Sequence, residues 1–335
     1  MKPINKLLVT GSAGFIGSTF CYEALKQGFE VMGMDNYSNS NKPSTEILKS
    51  YSNKFSFCEL DLSTNLEILK EEFKKFQPDA VIHLAALKSV QASEEDPTLY
   101  WKNNLGSTSN VIESMHEISC KKLIFSSSAS VYAAYNELPL TEDSALDPIS
   151  IYGKTKLACE DLIQDSCRDG KAEAVIFRYF NLSGAHKERV FLERQEYSDS
   201  LMTKLIDVAE GNRDLITIYG NKHITEDGTA SRDFIHIDDL VDAHFIILRT
   251  FNNFKGCEIF NLSTGKETSV LSLLQTFQES HKVSIQHVVG KPRKQEISRS
   301  FASSGKIFSL TGWKTKKTIE DICFDSWDPT NFNKI

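Results

Sequence analysis

Tyr152 stands four residues ahead of Lys156 in the run SIYGKTK. On a helix this spacing sets a phenol and an ammonium on one face, with Cβ atoms about 5–6 Å apart. One reading is a solvated helix face with an aromatic packed along its edge. The other is proton chemistry. A free tyrosine has a pKa of about 10 and is a poor base at neutral pH. A neighbouring ammonium or an oxidised nicotinamide stabilises the phenolate and brings it toward the range where a general base works best. Ser126, Ser127 and Ser128 in FSSSASVY end an apolar run. They either cap a helix or join Tyr152 and Lys156 in a proton relay, because ligands bind at the carboxyl ends of parallel strands.

A second group of residues has the chemistry of a dinucleotide site. VTGSAGFIG places Gly11, Gly14 and Gly17 between an apolar run and a helical pattern that opens with Phe15 and Ile16. One glycine permits a tight turn, one lets backbone approach a pyrophosphate, and one lets the helix pack closely on the strand. The phosphates then meet the positive helix N-terminus. Asp35, followed by Asn36, closes the next strand. A carboxylate there binds ribose hydroxyls and repels a 2′-phosphate, so NAD is the expected cofactor rather than NADP. Asp61, with Leu62 beside it, ends a third strand, where it either reaches the adenine or caps the following helix. In HLAALK, Leu84, Ala85 and Ala86 end a fourth strand, and the small residues let backbone lie against the cofactor.

These residues need a scaffold. KLLVTG, FEVMGMD, FSFCELD, AVIHLAA, KLIFSSS and EAVIFRYFN read as strands alternating with helical stretches, which means a parallel sheet covered on both faces. The expected fold is α/β, a doubly wound (Rossmann) sheet with a smaller C-terminal α/β substrate lobe. The expected division is 1–181 for the NAD-binding domain, 182–231 for a substrate-lobe segment, 232–262 crossing back, and 263–335 for the C-terminal lobe.

The chain has 335 residues, 40% hydrophobic and 25% charged, with a net charge of −7. This balance argues against nucleic acid as a partner. The seven scattered cysteines include no C-x-x-C, so neither a disulfide framework nor a zinc site is expected, and His186, His223 and His236 lack metal-ligand spacing. No run approaches the roughly 20 apolar residues of a membrane span, and MKPINKLLVTG turns glycine-rich before any signal-type apolar run develops. No membrane partner and a cytoplasmic location are expected.

The motifs above, with YGKTKLACE, RYFNLSGAH and IYGNKHITEDGTASRDFIHIDDL, resemble the extended short-chain dehydrogenase/reductase family and, within it, the UDP-glucose 4-epimerase branch. The resemblance implies that Tyr152 takes the proton of a sugar 4-OH, Lys156 bridges to the nicotinamide ribose, and Ser128 hydrogen-bonds the 4-OH. NAD would take the C4 hydride, the 4-ketose would present its other face, and the hydride would return with inversion. Lys88, Asn103, Ser126 and Tyr179 would adjoin the cofactor, and Lys88 the substrate as well.

Asn181, Ser200 and Leu201 would meet the hexose or its diphosphate, and Thr217 and Tyr219 would hold uracil. Arg232 and Arg293 would meet the pyrophosphate, where forked guanidinium suits phosphate oxygens. Arg232 alternatively pairs with Asp233 or Asp238, and Arg293 alternatively is a solvated charge. Glu296 would reach the uridine ribose. Ser300, at a position that gates the sugar 2-substituent, would admit N-acetylhexosamines. A homodimer through two helices of the nucleotide domain is implied too.

Departures from the family pattern include Ala133 after SVY, Gly106 and Ser107 in NNLGST, and the run KERVFLERQEYSDSLM. A dehydratase would need an acidic pair where Ala129 and Ser130 stand. A reductase, a decarboxylase and a non-catalytic NAD-binding regulator are the other readings.

Overall fold

The computed structural model describes residues 3–168, 170–193, 200–293 and 297–329. In chain order, β1 (Lys6–Thr10), α1 (Phe15–Lys26), β2 (Glu30–Asp35), α2 (Lys42–Tyr51), β3 (Phe55–Glu59), α3 (Leu66–Phe76) and β4 (Ala80–His83) come first. Then follow α4 (Val90–Glu95), α5 (Pro97–Tyr100), a π-helical turn at Trp101–Leu105, α6 (Gly106–Glu117), β5 (Lys122–Ser128), α7 (Ile151–Arg168) and β6 (Glu173–Tyr179). A seven-stranded sheet runs in the order Cys257–Leu262, β6, β5, β4, β1, β2, β3. β1 pairs in parallel with β2 and β4, as do β2 with β3 and β4 with β5. Leu7, Leu8, Val9, Val81, Ile82 and Leu123 are fully buried, as strands covered on both faces require. The doubly wound α/β fold is as expected. Its strand order reverses at β1, so the crevice beyond the ends of β1 and β4 is where a ligand belongs.

The chain forms two compact units. One is Met1–Ala133, Ala145–Arg178 and His244–Phe260; the other is Ala134–Ser144, Tyr179–Ala243 and Asn261–Ile335. The bounds fall at 178, 244 and 260 against the expected 181, 232 and 262, and residues 134–144 belong to the second unit. The return to the first unit starts at His244, inside the helix Ile237–Thr250, rather than at 232. Residues 134–144 go with the second unit because Leu140 exchanges backbone bonds there, donating to Phe301 O at 3.0 Å and accepting from Ser303 N at 2.8 Å. The second unit packs Leu205, Ile216, Phe234, Leu273, Phe277 and Ile322 into its own core. Among the described residues no helix is long and apolar enough to cross a membrane.

Helix α7 carries Tyr152 and Lys156, and its buried positions are Gly153, Thr155, Lys156, Cys159, Glu160, Ile163 and Cys167. Those steps of three and four define one helix face, yet the face includes two charges. Glu160 is balanced by Arg178 of β6, both at most 1% exposed, with Arg178 Nη2 2.7 Å from Glu160 Oε2. Arg178 Nε donates to Oε1 at 3.1 Å, and Nη1 donates to the Tyr132 hydroxyl at 3.0 Å. The Ser127 hydroxyl donates to Glu160 as well. Helix α7, β5 and β6 thus share one saturated polar node.

Removing one partner strands the other's charge in the interior, which costs about 3–5 kcal/mol. Glu160→Ala is therefore expected to lower the denaturant midpoint by a corresponding amount; urea unfolding followed by circular dichroism checks this, and an unchanged midpoint would contradict it.

Candidate active site

The glycine-rich turn assigns a different task to each glycine. Gly11 has φ +67°, and a side chain there would meet Ala85 N at 2.8 Å. Gly17 has no room because a Cβ would lie 2.1 Å from Gly11 O, whereas Gly14 meets nothing closer than 3.4 Å. Gly14 is the N-cap of α1 and offers no side-chain cap, so backbone N–H groups of the first turn remain available to an anion.

The crevice beyond β1 and β4 is lined by Gly11, Asp35, Asn36, Asp61, Leu62, Ala85, Ala86 and Asn103, all expected from sequence. Leu60 and Ser63, together with Ser38, Asn39 and Ser107, were not anticipated. Ser38, Asn39, Leu60 and Ser63 come from the loops after β2 and β3, and Ser107 from the first turn of α6. Phe15 and Ile16 open α1 behind the turn.

Asp35 holds the crevice wall together. Its Oδ2 accepts from Ala13 N at 3.0 Å, and its Oδ1 accepts from Tyr37 N and the Ser40 hydroxyl, each at 2.8 Å. Burial pushes its carboxyl up, and these hydrogen bonds oppose the shift. Asp61 accepts from Ser63 N at 2.9 Å and Asn36 Nδ2 at 3.3 Å. It stabilises the turn before α3 while lining the crevice; the N-cap itself is Asn65, so the helix-capping alternative is corrected. The glycine cradle, the open helix terminus and the Asp35 carboxylate in the crevice wall fit NAD.

The second group gathers at the end of β5. The Ser128 side chain acts on Tyr152, favouring its phenolate, and its oxygen accepts from Ser130 N at 3.2 Å. Lys156 donates to Ser126 O at 2.7 Å and lies over the Phe125 ring at 4.8 Å. The expected lowering of the Tyr152 pKa relies on the ammonium together with an oxidised nicotinamide; in the cofactor-free chain the direction is upward. Tyr152 is half-buried, and burial pushes the phenol up to about 12, with Ser128 opposing. Burial pushes Lys156 down to about 8. Desolvation dominates both groups.

Several residues without a sequence signal position this pair. Gly153 lets α7 lie against the loop after β5, since a Cβ there would sit 2.3 Å from Ser130 O. Asn104, in the π-helical turn, accepts from Leu87 N at 2.8 Å and donates to Leu87 O at 3.1 Å and Thr155 Oγ1 at 3.0 Å. It therefore ties the loop bearing Ala86 and Lys88 to the turn of α7 between Tyr152 and Lys156. His83 Nδ1 is 2.7 Å from Thr10 Oγ1, and its Nε2 is 3.1 Å from Thr108 Oγ1. Burial pushes it down to about 3, so it is neutral. Thr10 Oγ1 also accepts from Leu84 N and Ala85 N at 3.1 and 3.2 Å, so β1, β4 and α6 are joined beneath the crevice. Asn104 stood beside the predicted Asn103, and only the π-turn distinguishes their directions.

Of the other expected residues, Tyr179 ends β6 and is buried. In the second unit the structure brings together Tyr219 and Arg293, whose guanidinium lies 4.3 Å from the ring centre. Thr217 lies two residues before Tyr219 on the strand Ile216–Tyr219. Arg232 and Ser300 are directly paired across adjacent strands. Arg232 Nη1 donates to Ser231 O at 2.7 Å, while Asp233 accepts from Thr264 N and Gly265 N at 2.8 and 3.0 Å. Asn181 is exposed, and its N–H donates to Asp233 O at 2.9 Å. Ser200 is the N-cap of the helix that Leu201 opens, accepting from Thr203 N at 3.2 Å. Glu296 lies outside the described residues.

The Lys156 shift has a stability consequence. The folded chain releases this proton at about 8, the unfolded chain at 10.5. Between those values the unfolded state holds more protons, so this group's contribution to stability rises with pH across the window. In cofactor-free protein, the stability of wild type relative to Lys156→Met is expected to increase from pH 8 to 10.5; urea titrations at several pH values measure it, and a flat difference would contradict it.

The family model described as NAD dependent epimerase/dehydratase family matches residues 7–263. A UDP-glucose 4-epimerase of Cyamopsis tetragonoloba is 39% identical over 329 residues, covering 96% of this chain and 94% of the relative. One from Bacillus subtilis is 36% identical, covering 96% and 95%. Among solved structures, a UDP-glucose 4-epimerase of Stenotrophomonas maltophila with bound NAD and formylated UDP-arabinopyranose matches with a TM-score of 0.92 at 32% identity, covering 97% of each chain. One from Bifidobacterium longum in complex with NAD+ and UDP also has a TM-score of 0.92 at 32% identity, covering 98% of this chain and 100% of that one. With its glycine cradle, the Asp35 carboxylate in its crevice wall and a match over most of its length, the chain belongs to the NAD-dependent epimerase/dehydratase family.

Proposed function

We propose that this protein is an isomerase that inverts C4 of a UDP-hexose through a transient 4-keto sugar, with NAD as its cofactor. The carrying observation is that Lys156 donates to Ser126 O at 2.7 Å, which sets the turn of α7 bearing Tyr152 and Lys156 against the end of β5 that carries Ser128. The activity named for its relatives supports this reading. Bound NAD supplies the hydride acceptor and donor at C4. The protein's own groups handle the proton. Ser128 hydrogen-bonds the 4-OH and passes its proton to Tyr152, which returns it to the 4-oxygen after the sugar has turned. Tyr152 must first be a phenolate, which burial opposes, so a cationic ring beside the phenol is what brings it into range. Lys156, anchored on Ser126 O, orients the nicotinamide ribose and keeps a positive charge near the phenolate.

The substrate roles are part of the same reading. Tyr219 and Thr217 hold uracil, Arg293 on the Tyr219 face and Arg232 meet the pyrophosphate, and Asn181, Ser200 and Leu201 face the hexose diphosphate. The small Ser300 beside Arg232 leaves space for a sugar 2-acetamido group. A dehydratase is disfavoured because Ala129 and Ser130, in the turn right after Ser128, supply no acid or base.

Mixing the purified protein with UDP-glucose, without added NAD, is expected to yield UDP-galactose, and UDP-N-acetylglucosamine its C4 epimer. Tyr152→Phe is expected to abolish both while retaining dinucleotide. A 4-keto-6-deoxy product, or a fully active Tyr152→Phe, would overturn the reading; turnover of UDP-glucose alone would remove the Ser300 role only.

We further place the protein in the cytoplasm, supported by free cysteines throughout the described chain, and as a homodimer through helices of the first unit. The exposed Val90, Leu99 and Trp101 on adjoining turns support the dimer. Sedimentation equilibrium is expected to give twice the chain mass, and a monomer at micromolar concentration would contradict it.

A further inference from the structure

Helix α7, which bears Tyr152, is capped in part from another element. The first backbone N–H groups of an α-helix have no acceptor within the helix. Three of these in α7 belong to Ile151, Tyr152 and Gly153, since Lys154 N already donates to Ser150 O at 3.0 Å. Ser150 Oγ accepts from Gly153 N at 3.0 Å. The other two N–H groups go to α4. Glu94 Oε1 accepts from Ile151 N at 2.9 Å, and Ser93 Oγ accepts from Tyr152 N at 3.2 Å, across 57 and 59 residues of chain.

The Ser93 acceptor is itself fixed. Its side chain is fully buried, and its hydroxyl donates to Val90 O at 2.6 Å, which leaves a lone pair for Tyr152 N. Ser89 caps α4 in turn, its Oγ accepting from Ala92 N at 3.2 Å. Further along α7 the anchors are different: Thr155 is held by Asn104 and Lys156 by Ser126 O. Tyr152 lies ahead of both, in the terminal turn where helices fray. Without an acceptor from α4, its N–H would turn toward water or another partner. The phenol would then move with its backbone while Lys156 stayed in place.

We propose that Ser93 and Glu94 are positioning residues that fix the first turn of α7, and with it the Tyr152 phenol, by accepting two of that turn's backbone N–H groups. They act through the backbone of Ile151 and Tyr152. The inference rests on the proposed C4 epimerisation, in which Tyr152 takes and returns the proton of the 4-oxygen. Misplacing a reacting group by about 1 Å can lower a rate roughly 10²-fold, so a loosened first turn shows in turnover. Retention of the dinucleotide is spared, because the glycine turn, Asp35 and Lys156 have anchors of their own.

The test uses the full-length protein with the cofactor it carries, at a temperature well below its melting point. Ser93→Ala and Glu94→Ala are each expected to lower kcat for UDP-glucose about tenfold, with KM and bound dinucleotide unchanged. Glu94→Gln, whose amide oxygen can still accept from Ile151 N, is expected to restore most of the rate lost in Glu94→Ala. A wild-type kcat in both alanine variants would overturn the inference, even with a lowered melting temperature, since a purely structural cap predicts that result. Failure of Glu94→Gln to restore the rate would overturn it for Glu94, as would a loss that falls on KM or on dinucleotide content. Glu94 is exposed, so its variants carry the test if Ser93→Ala folds poorly. An inactive wild type would overturn the proposed function and this inference with it, whereas an active wild type with unimpaired variants overturns this inference alone.

Discussion

The buried pair between Glu160 and Arg178 is the interaction on which the rest of the candidate site depends. Charges taken out of water are tolerated only where their remaining hydrogen-bonding sites are filled. Here Ser127 and Tyr132 help to fill them. The three elements so joined are α7, which carries Tyr152 and Lys156, β5, which ends at Ser128, and β6. A node of this kind adds little net stability compared with a well-packed apolar core. It does define how α7 sits along β5, because an ion pair has one good geometry whereas apolar side chains slide past one another.

A second constraint comes from the crevice. The strand-order reversal at β1 leaves an open space, and the groups around it are bound to each other rather than standing separately. His83, Thr10 and Thr108 connect β1, β4 and α6 below it. Asn104 runs from the loop after β4 to Thr155 of α7. The dinucleotide wall and the proton-handling residues are therefore parts of one rigid body within the first unit. A dinucleotide set by the glycine turn and Asp35 would be registered against Tyr152 by this network.

Electrostatics inside that body follow burial before they follow charge pairing. Lys156 stands one turn from Tyr152, yet its ammonium is committed to Ser126 O and to the Phe125 ring, and the phenol is pushed up rather than down. A protein poised this way keeps its base protonated until a further positive charge arrives. Under the proposed function, the pair would act as a base that its cofactor arms.

Much of this was legible in the chain. The glycine triplet, Asp35 and the run of strand and helix periods each rest on local spacing, and a local spacing survives in one dimension. The residues Tyr152, Lys156 and Ser128 could be listed for the same reason. Asn104, Gly153, His83 and Glu160 could not, because their importance lies in what faces them: a carbonyl of the loop after β4, the Ser130 oxygen, two threonines and Arg178. The buried face of α7 shows the difference well. Its helical period is plain in the sequence, but two of its inward positions are charged, and an apolar stripe was the only signal a periodic reading could use.

The excursion of residues 134–144 into the second unit was likewise hidden, since it depends on backbone bonds from Leu140 to Phe301 and Ser303. The sequence by itself determined the fold class, the type of cofactor and the inventory of reactive side chains, because these follow from residue type and neighbouring spacing. Tertiary structure alone decided the direction in which Tyr152 and Lys156 are shifted and the partners that hold them, because desolvation and long-range contact exist only once distant segments are packed.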